Sequence, residues 1–204
     1  HPRDLDAIVL SHGHYDHAGG LYHILSHARK KMPVFAHPDI FSSRFSTAGG
    51  LRQYIGVPHT QEQLSGLGAT WNLSVKPTQI MENLWVSGQV PHTTSYEKGD
   101  SRLVLQQEGC DCQDEINDDM SLYYVKGKDL LVIGGCAHSG LVNTVRYGFE
   151  VTGATRLAGW IGGTHLGPVS SEQQEQTLDA LMDWNPDFVA ANHCTGFPMM
   201  AALY

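Results

Sequence analysis

Ser11-His12-Gly13-His14-Tyr15-Asp16-His17 places three histidines and an aspartate within the span 12–17, directly after the apolar run Ala7-Ile8-Val9-Leu10. That run reads as a buried strand. Neutral imidazole nitrogens and a carboxylate oxygen are the donors that a borderline-soft divalent ion such as zinc takes. His12 and His14 lie two apart and share one face of an extended chain. Asp16 and His17 follow where the chain bends into a helix, and can reach the same ion or a second one beside it. The alternative, a histidine-rich surface loop, fits poorly with a position at the end of a core strand.

Working outward, Ala18 to Lys31 reads as a helix with Leu21, Ile24, Leu25 and Ala28 as its apolar stripe, basic residues at its end and Pro33 as its stop. Val34-Phe35-Ala36 is a short strand. Residues 41–70 are turn-rich and read as loops over a site. Leu84-Trp85-Val86 and Leu103-Val104-Leu105 are strands, and Glu108 to Asp119 is an acidic loop. Ser121 to Val125 and Leu130 to Ile133 form a hairpin. A helix bearing Leu141, Val142, Val145 and Phe149 ends near Gly153, and Leu157 to Ile161 is a strand. A second helix opens on Ser171 as its cap, with Gln174 three residues on, and Phe188 to Ala191 is the last strand. Three strands thus end in histidine-bearing turns, at His138, His165 and His193. With the strand before His12, four polar turns are expected at one sheet edge.

The 204 residues are 41% hydrophobic, enough for one sizeable core and a single domain, residues 1–204. With 13 basic and 21 acidic residues the net charge is −8. That charge argues against a nucleic-acid partner and against docking on anionic membrane. No run approaches the roughly 18 apolar residues of a spanning helix. The four cysteines make no convincing disulfide framework in a chain this long. Cys136 and Cys194 each sit close to a candidate ligand histidine, and Cys110-Asp111-Cys112 reads as a surface loop. A cytoplasmic location is expected; the chain opens directly on its first motif, which points to a trimmed N-terminus and leaves a removed export signal open.

His12-x-His14-x-Asp16-His17 resembles the HxHxDH signature of the metallo-β-lactamase superfamily. The longer stretch from Ser11 to Leu21 is similar to one branch, the 7,8-dihydropterin-6-methyl-4-(β-D-ribofuranosyl)-aminobenzene-5'-phosphate synthase-like proteins. Three later segments fit the same branch: Asp118-Asp119-Met120-Ser121-Leu122, Gly135-Cys136-Ala137-His138-Ser139-Gly140, and the pair Gly162-Gly163-Thr164-His165-Leu166 and His193-Cys194-Thr195-Gly196. The resemblance implies an α/β fold, the αββα sandwich, here lacking some N-terminal strands that such proteins carry before the motif. It implies Zn2+ as cofactor, one ion or two, with Mn2+ or Fe2+ as alternatives, and His12, His14, Asp16, His17, His138 and His193 as metal ligands. His138 occupies the place where most superfamily members put a bridging aspartate. A ring nitrogen cannot bridge two ions as a carboxylate does, so the cluster implies metal without implying two. The remaining ligand stays open between His92, where the branch tends to have arginine, and Asp118 or Asp119.

The chemistry that follows is hydrolysis. A bound ion lowers the pKa of its water towards neutrality and polarises the substrate oxygen. Asp16 can orient the nucleophile or take its proton, and His165 can protonate a leaving group, contact substrate or coordinate metal. The expected enzyme is a metal-dependent hydrolase acting on an ester-type bond (phosphoester, lactone or sulfate ester) of a small anionic molecule. One rival is a metal- or ligand-binding protein of the same fold without turnover. The other is a nuclease of the superfamily, against which the acidic charge counts. Oligomeric state is left open.

Overall fold

The computed structural model describes residues 1–203. Along the chain the elements begin β1 (Ile8–Val9), α1 (Tyr15–Ala18), α2 (Leu21–Ala28), β2 (Met32–Ala36), β3 (Arg44–Ser46) and β4 (Gln53–Tyr54). They continue with α3 (Gln61–Gly66), β5 (Ala69–Leu73), β6 (Thr78–Met81), β7 (Leu84–Val86), β8 (Leu103–Gln107) and β9 (Cys110–Gln113). The last are β10 (Ser121–Lys126), β11 (Asp129–Gly134), α4 (Leu141–Thr152), β12 (Arg156–Gly163), α5 (Ser171–Trp184), β13 (Phe188–Asn192) and α6 (Phe197–Leu203). They fall into two compact units, residues 1–75 with 101–118, and residues 76–100 with 119 onward.

The first unit holds a parallel sheet, β1-β2-β5, and an antiparallel one, β4-β3-β8-β9. Leu10, Leu21, Leu25, Met32, Val34, Ile40 and Leu64 make its core. The helix expected over 18–31 is two pieces. The chain breaks at Gly19-Gly20, and α2 ends at Ala28 because Arg29 turns left-handed (φ 51°). Pro33 does not stop the helix but lies inside β2, at a position that β1, pairing only Val34 and Phe35, leaves unpaired.

Residues 41–70, expected as loops, contain β3, β4 and α3. The last opens on a capping box in which Gln63 N–H donates to Thr60 Oγ1 (3.2 Å) and Thr60 N–H to Gln63 Oε1 (3.0 Å). The acidic stretch 108–119 likewise carries a strand. β9 pairs with β8 from Val104↔Gln113 to Gln107↔Cys110, and as an exposed sheet edge it has no apolar face to bury.

The second unit is built on one mixed sheet, β13-β12-β11-β10-β7-β6, over a core of Tyr123, Leu130, Val132, Leu141, Val142, Val145, Leu157 and Trp160. The expected hairpin is β10–β11, and α4 ends at a left-handed Gly153 as the sequence indicates. The cap of α5 is Ser170, one residue before the expected Ser171; its Oγ accepts from Gln173 N–H at 3.2 Å. β11, β12 and β13 run parallel, so the turns bearing His138, His165 and His193 leave the same edge of this sheet. No helix among the described residues is long and apolar enough to cross a membrane.

Candidate metal centre

In the first unit the HxHxDH stretch closes on itself. His12 Nε2 faces His14 Nδ1 at 3.0 Å, and the His12 and His17 rings lie 4.1 Å apart, centre to centre. Ser11 Oγ joins two of the rings, at 3.1 Å from His12 Nδ1 and 3.3 Å from His17 Nδ1. Asp16 Oδ2 stands 3.6 Å from His17 Nε2. Two nitrogens held about 2.05 Å from a tetrahedral ion stand ~3.3 Å apart. The His12–His14 approach is close to that spacing, so the donor set fits a zinc-like ion in both chemistry and distance. His12 and His14 are buried, whereas Asp16 is exposed.

What holds this loop is a buried ion-pair group that the sequence does not announce. Asp118 Oδ2 accepts the Gly13 N–H at 2.7 Å, between the two histidines. Arg44 grips Asp118 at both oxygens (Nη1–Oδ2 2.7 Å, Nη2–Oδ1 2.7 Å) and donates through Nε to Asp114 Oδ2 at 2.8 Å. Burial pushes the Asp118 carboxyl up to about 6, against the Arg44 charge and the Gly13 N–H, which pull it down. Asp118 thus orients the motif, with both oxygens already engaged.

In the second unit, three turns present the remaining candidates. His138 is buried, its ring 4.1 Å from that of His165. Asp119 Oδ2 accepts the Ser139 N–H at 2.9 Å and so fixes the turn that carries His138. His165 Nε2 lies 3.5 Å from Asp100 Oδ2. His193 is exposed and opens a 3-10 turn, His193–Thr195, with φ 51°. His92 is exposed on the loop before Thr93.

Two cysteines, which sequence reasoning placed only as neighbours of candidate ligands, belong to this group. Cys136 Sγ, Cys194 Sγ and a His165 ring nitrogen all lie within 4.8 Å of one another. Hydrogen bonding to Cys136, aided by the His165 partner, pushes the Cys194 thiol down to about 4 despite its burial. Burial opposes protonation of His165, but its Asp100 and Cys194 partners raise it to about 9. Among the described residues no disulfide forms; Cys110 and Cys112 are exposed thiols.

Comparison with known proteins places the chain in a family. The family model described as the metallo-beta-lactamase superfamily matches residues 1–67, which contain the His12–His17 cluster. The 7,8-dihydropterin-6-methyl-4-(beta-D-ribofuranosyl)-aminobenzene-5'-phosphate synthase of Methanocaldococcus jannaschii is 32% identical over 205 residues, covering 96% of this chain and 68% of the relative. The chain belongs to the metallo-β-lactamase superfamily. Within the superfamily it falls with that synthase and with the uncharacterized protein MJ0448 of the same organism, 35% identical over 199 residues, or 97% of this chain and 72% of the relative. Its α/β fold is that of the superfamily. The crystal structure of Tm1679, a metal-dependent hydrolase of the β-lactamase superfamily, superposes with a TM-score of 0.80, at 24% identity, over 96% of this chain and 71% of the other.

Proposed function

We propose that this superfamily member is a metal-dependent hydrolase that cleaves a phosphoester, lactone or sulfate ester of a small anionic molecule. The observation that carries the reading is the His12–His14–His17 cluster: the His12 ring touches those of His14 and His17, the His12 and His14 nitrogens are 3.0 Å apart, and a carboxylate stands beside His17. His12, His14, Asp16 and His17 are the ligands of the first unit, and His138 and His193 are the candidate ligands of the second. Zn2+ fits the imidazole-rich donors best.

A divalent ion, when bound, supplies a water acidic enough to ionise near neutrality and a Lewis acid for the ester oxygen. The chain's own contribution is positional. Ser11 Oγ fixes the tilt of the His12 and His17 rings, and Asp118 and Arg44 fix the loop between His12 and His14. Asp16, exposed beside His17, is the carboxylate able to orient the attacking water and accept its proton. The M. jannaschii relative, a 5'-phosphate synthase, supports an anionic, phosphorylated ligand, and it favours group transfer as a second reading.

The test is an assay of purified chain of measured metal content against lactones, phosphodiesters and sulfate esters. Hydrolysis of at least one class, abolished by His14→Ala, is the expected result. A fully metal-loaded chain that turns over none of them would overturn the hydrolase.

A further inference from the structure

We propose that Cys136, His165 and Cys194 form a thiolate-rich site for a thiophilic divalent ion, Zn2+ or Cd2+, within the second unit. The set shares no residue with His12, His14, Asp16 and His17. Its donors come from three turns that the parallel strands β11, β12 and β13 release at one edge of a single sheet, so the fold itself assembles them.

Three features draw those turns together. Cys194 Sγ lies 3.7 Å from the Cys136 carbonyl oxygen, joining the turns after β13 and β11. Thr195 Oγ1 receives the Thr164 N–H at 3.2 Å and lies 3.0 Å from Thr164 Oγ1, joining the turns after β13 and β12. Gly163, at the end of β12, lies so close to both cysteines that a Cβ there would stand 2.7 Å from Cys194 Sγ, 2.6 Å from Gly135 O and 3.2 Å from Cys136 Cα. A side chain at 163 would collide with the Cys194 sulfur and with the backbone of the turn that carries Cys136.

The distances suit an ion. With bonds of about 2.3 Å to sulfur and 2.05 Å to nitrogen, a tetrahedral centre sets its sulfurs ~3.8 Å apart and sulfur to nitrogen ~3.5 Å. The three donor atoms already lie within 4.8 Å of one another. His165 has a carboxylate behind it, Asp100 Oδ2 at 3.5 Å from Nε2, the outer partner that metal-bound imidazoles commonly carry. Two thiolates and one imidazole leave one position of a tetrahedral ion open, as in catalytic rather than closed structural sites. Soft sulfur donors select Zn2+ or Cd2+ over Mg2+ or Mn2+.

Co2+ titration of the full chain under a non-thiol reductant tests this, because thiolate bound to Co2+ gives a near-ultraviolet charge-transfer band that imidazole and carboxylate do not. The band is expected in the wild type, in the Cys110→Ser/Cys112→Ser variant and in His14→Ala. It is expected to vanish in Cys136→Ser and in Cys194→Ser with far-ultraviolet dichroism unchanged, and Cd2+ affinity should fall at least ~10-fold in both. Absence of the band from the wild type at saturating Co2+, its survival in the Cys136→Ser/Cys194→Ser double variant, or its loss in His14→Ala would each overturn the proposal. Because His14→Ala removes a ligand of the proposed hydrolytic site and none of this one, the two readings fail separately.

Discussion

Arg44 holds Asp118 by both carboxylate oxygens, at 2.7 Å each, and Asp118 in turn accepts the N–H of Gly13 at 2.7 Å. A guanidinium buried in the first unit is thereby linked, through one carboxylate, to the backbone between two proposed metal ligands. Asp118→Asn keeps the shape but replaces one acceptor by an amide, so either Gly13 or Arg44 loses its partner. Metal affinity, read by chelator competition, is expected to fall ~10–100-fold, the usual cost of losing support outside the ligand shell. Arg44→Met leaves Asp114 and Asp118 buried without their cation and should cost about 3–5 kcal/mol in urea unfolding. Unchanged metal affinity in Asp118→Asn would remove Asp118 from any role in orienting the motif.

Gly13 is required for a different reason. A Cβ at this position would stand 2.1 Å from the Ile40 carbonyl oxygen and 2.6 Å from Arg44 Nη1. The backbone carbonyl cannot yield, so the loop between His12 and His14 must move. Gly13→Ala is expected to lower stability by about 1–3 kcal/mol as an overpacked site and to reduce bound metal. Elemental analysis after dialysis, paired with a thermal melt, separates the two effects. Full metal retention with a lowered melting temperature would show that the His12–His14 spacing tolerates the shift.

The proposed ligands differ in burial, and so in what their removal should do. His14 is buried, whereas His193 is exposed at the start of its turn. His14→Ala should lose metal and also stability, since it vacates a packed position. His193→Ala should lose metal with a melting temperature of the metal-free chain close to that of wild type. Retention of the full metal complement in either variant excludes that residue as a ligand.

The sequence revealed the His12–His17 cluster because its donors are local: positions 12 to 17 carry their own spacing, and the contacts of the His12 ring with His14 and His17 follow from it. The same holds for the β10–β11 hairpin and for α4, whose apolar period and terminal Gly153 are written in adjacent residues. Arg44 was hidden because its partners, Asp114 and Asp118, lie 70 and 74 positions away, inside a stretch that polarity alone reads as loop. β9 was hidden for a related reason: Cys110 to Gln113 is exposed on all four side chains, so its strand character comes from backbone pairing with β8 and leaves no alternation. Cys136 and Cys194 stood in plain view beside His138 and His193. Only the parallel order of β11, β12 and β13 shows that their sulfurs share a neighbourhood with His165.

Glu97 gives the clearest dependence on pH. Its buried carboxylate caps α4, accepting from Val142 N–H at 2.8 Å, Asn143 N–H at 2.9 Å and the Thr94 hydroxyl at 2.9 Å. Burial raises its pKa above the ordinary 4.5, although the two backbone N–H groups, Thr94 and the Arg146 charge pull it down. A carboxyl with a raised pKa in the folded state binds a proton on folding in the window between the ordinary value and its own. Its contribution is therefore fully present below pH 4.5 and is lost as pH rises through that window. In Glu97→Gln the amide nitrogen faces a backbone donor, so about 1–3 kcal/mol should be lost from the cap. Urea unfolding at pH 4 to 7 should show the wild-type advantage over Glu97→Gln shrinking with rising pH. An advantage that grows across that range would mean that the helix N–H groups, rather than burial, govern this carboxylate.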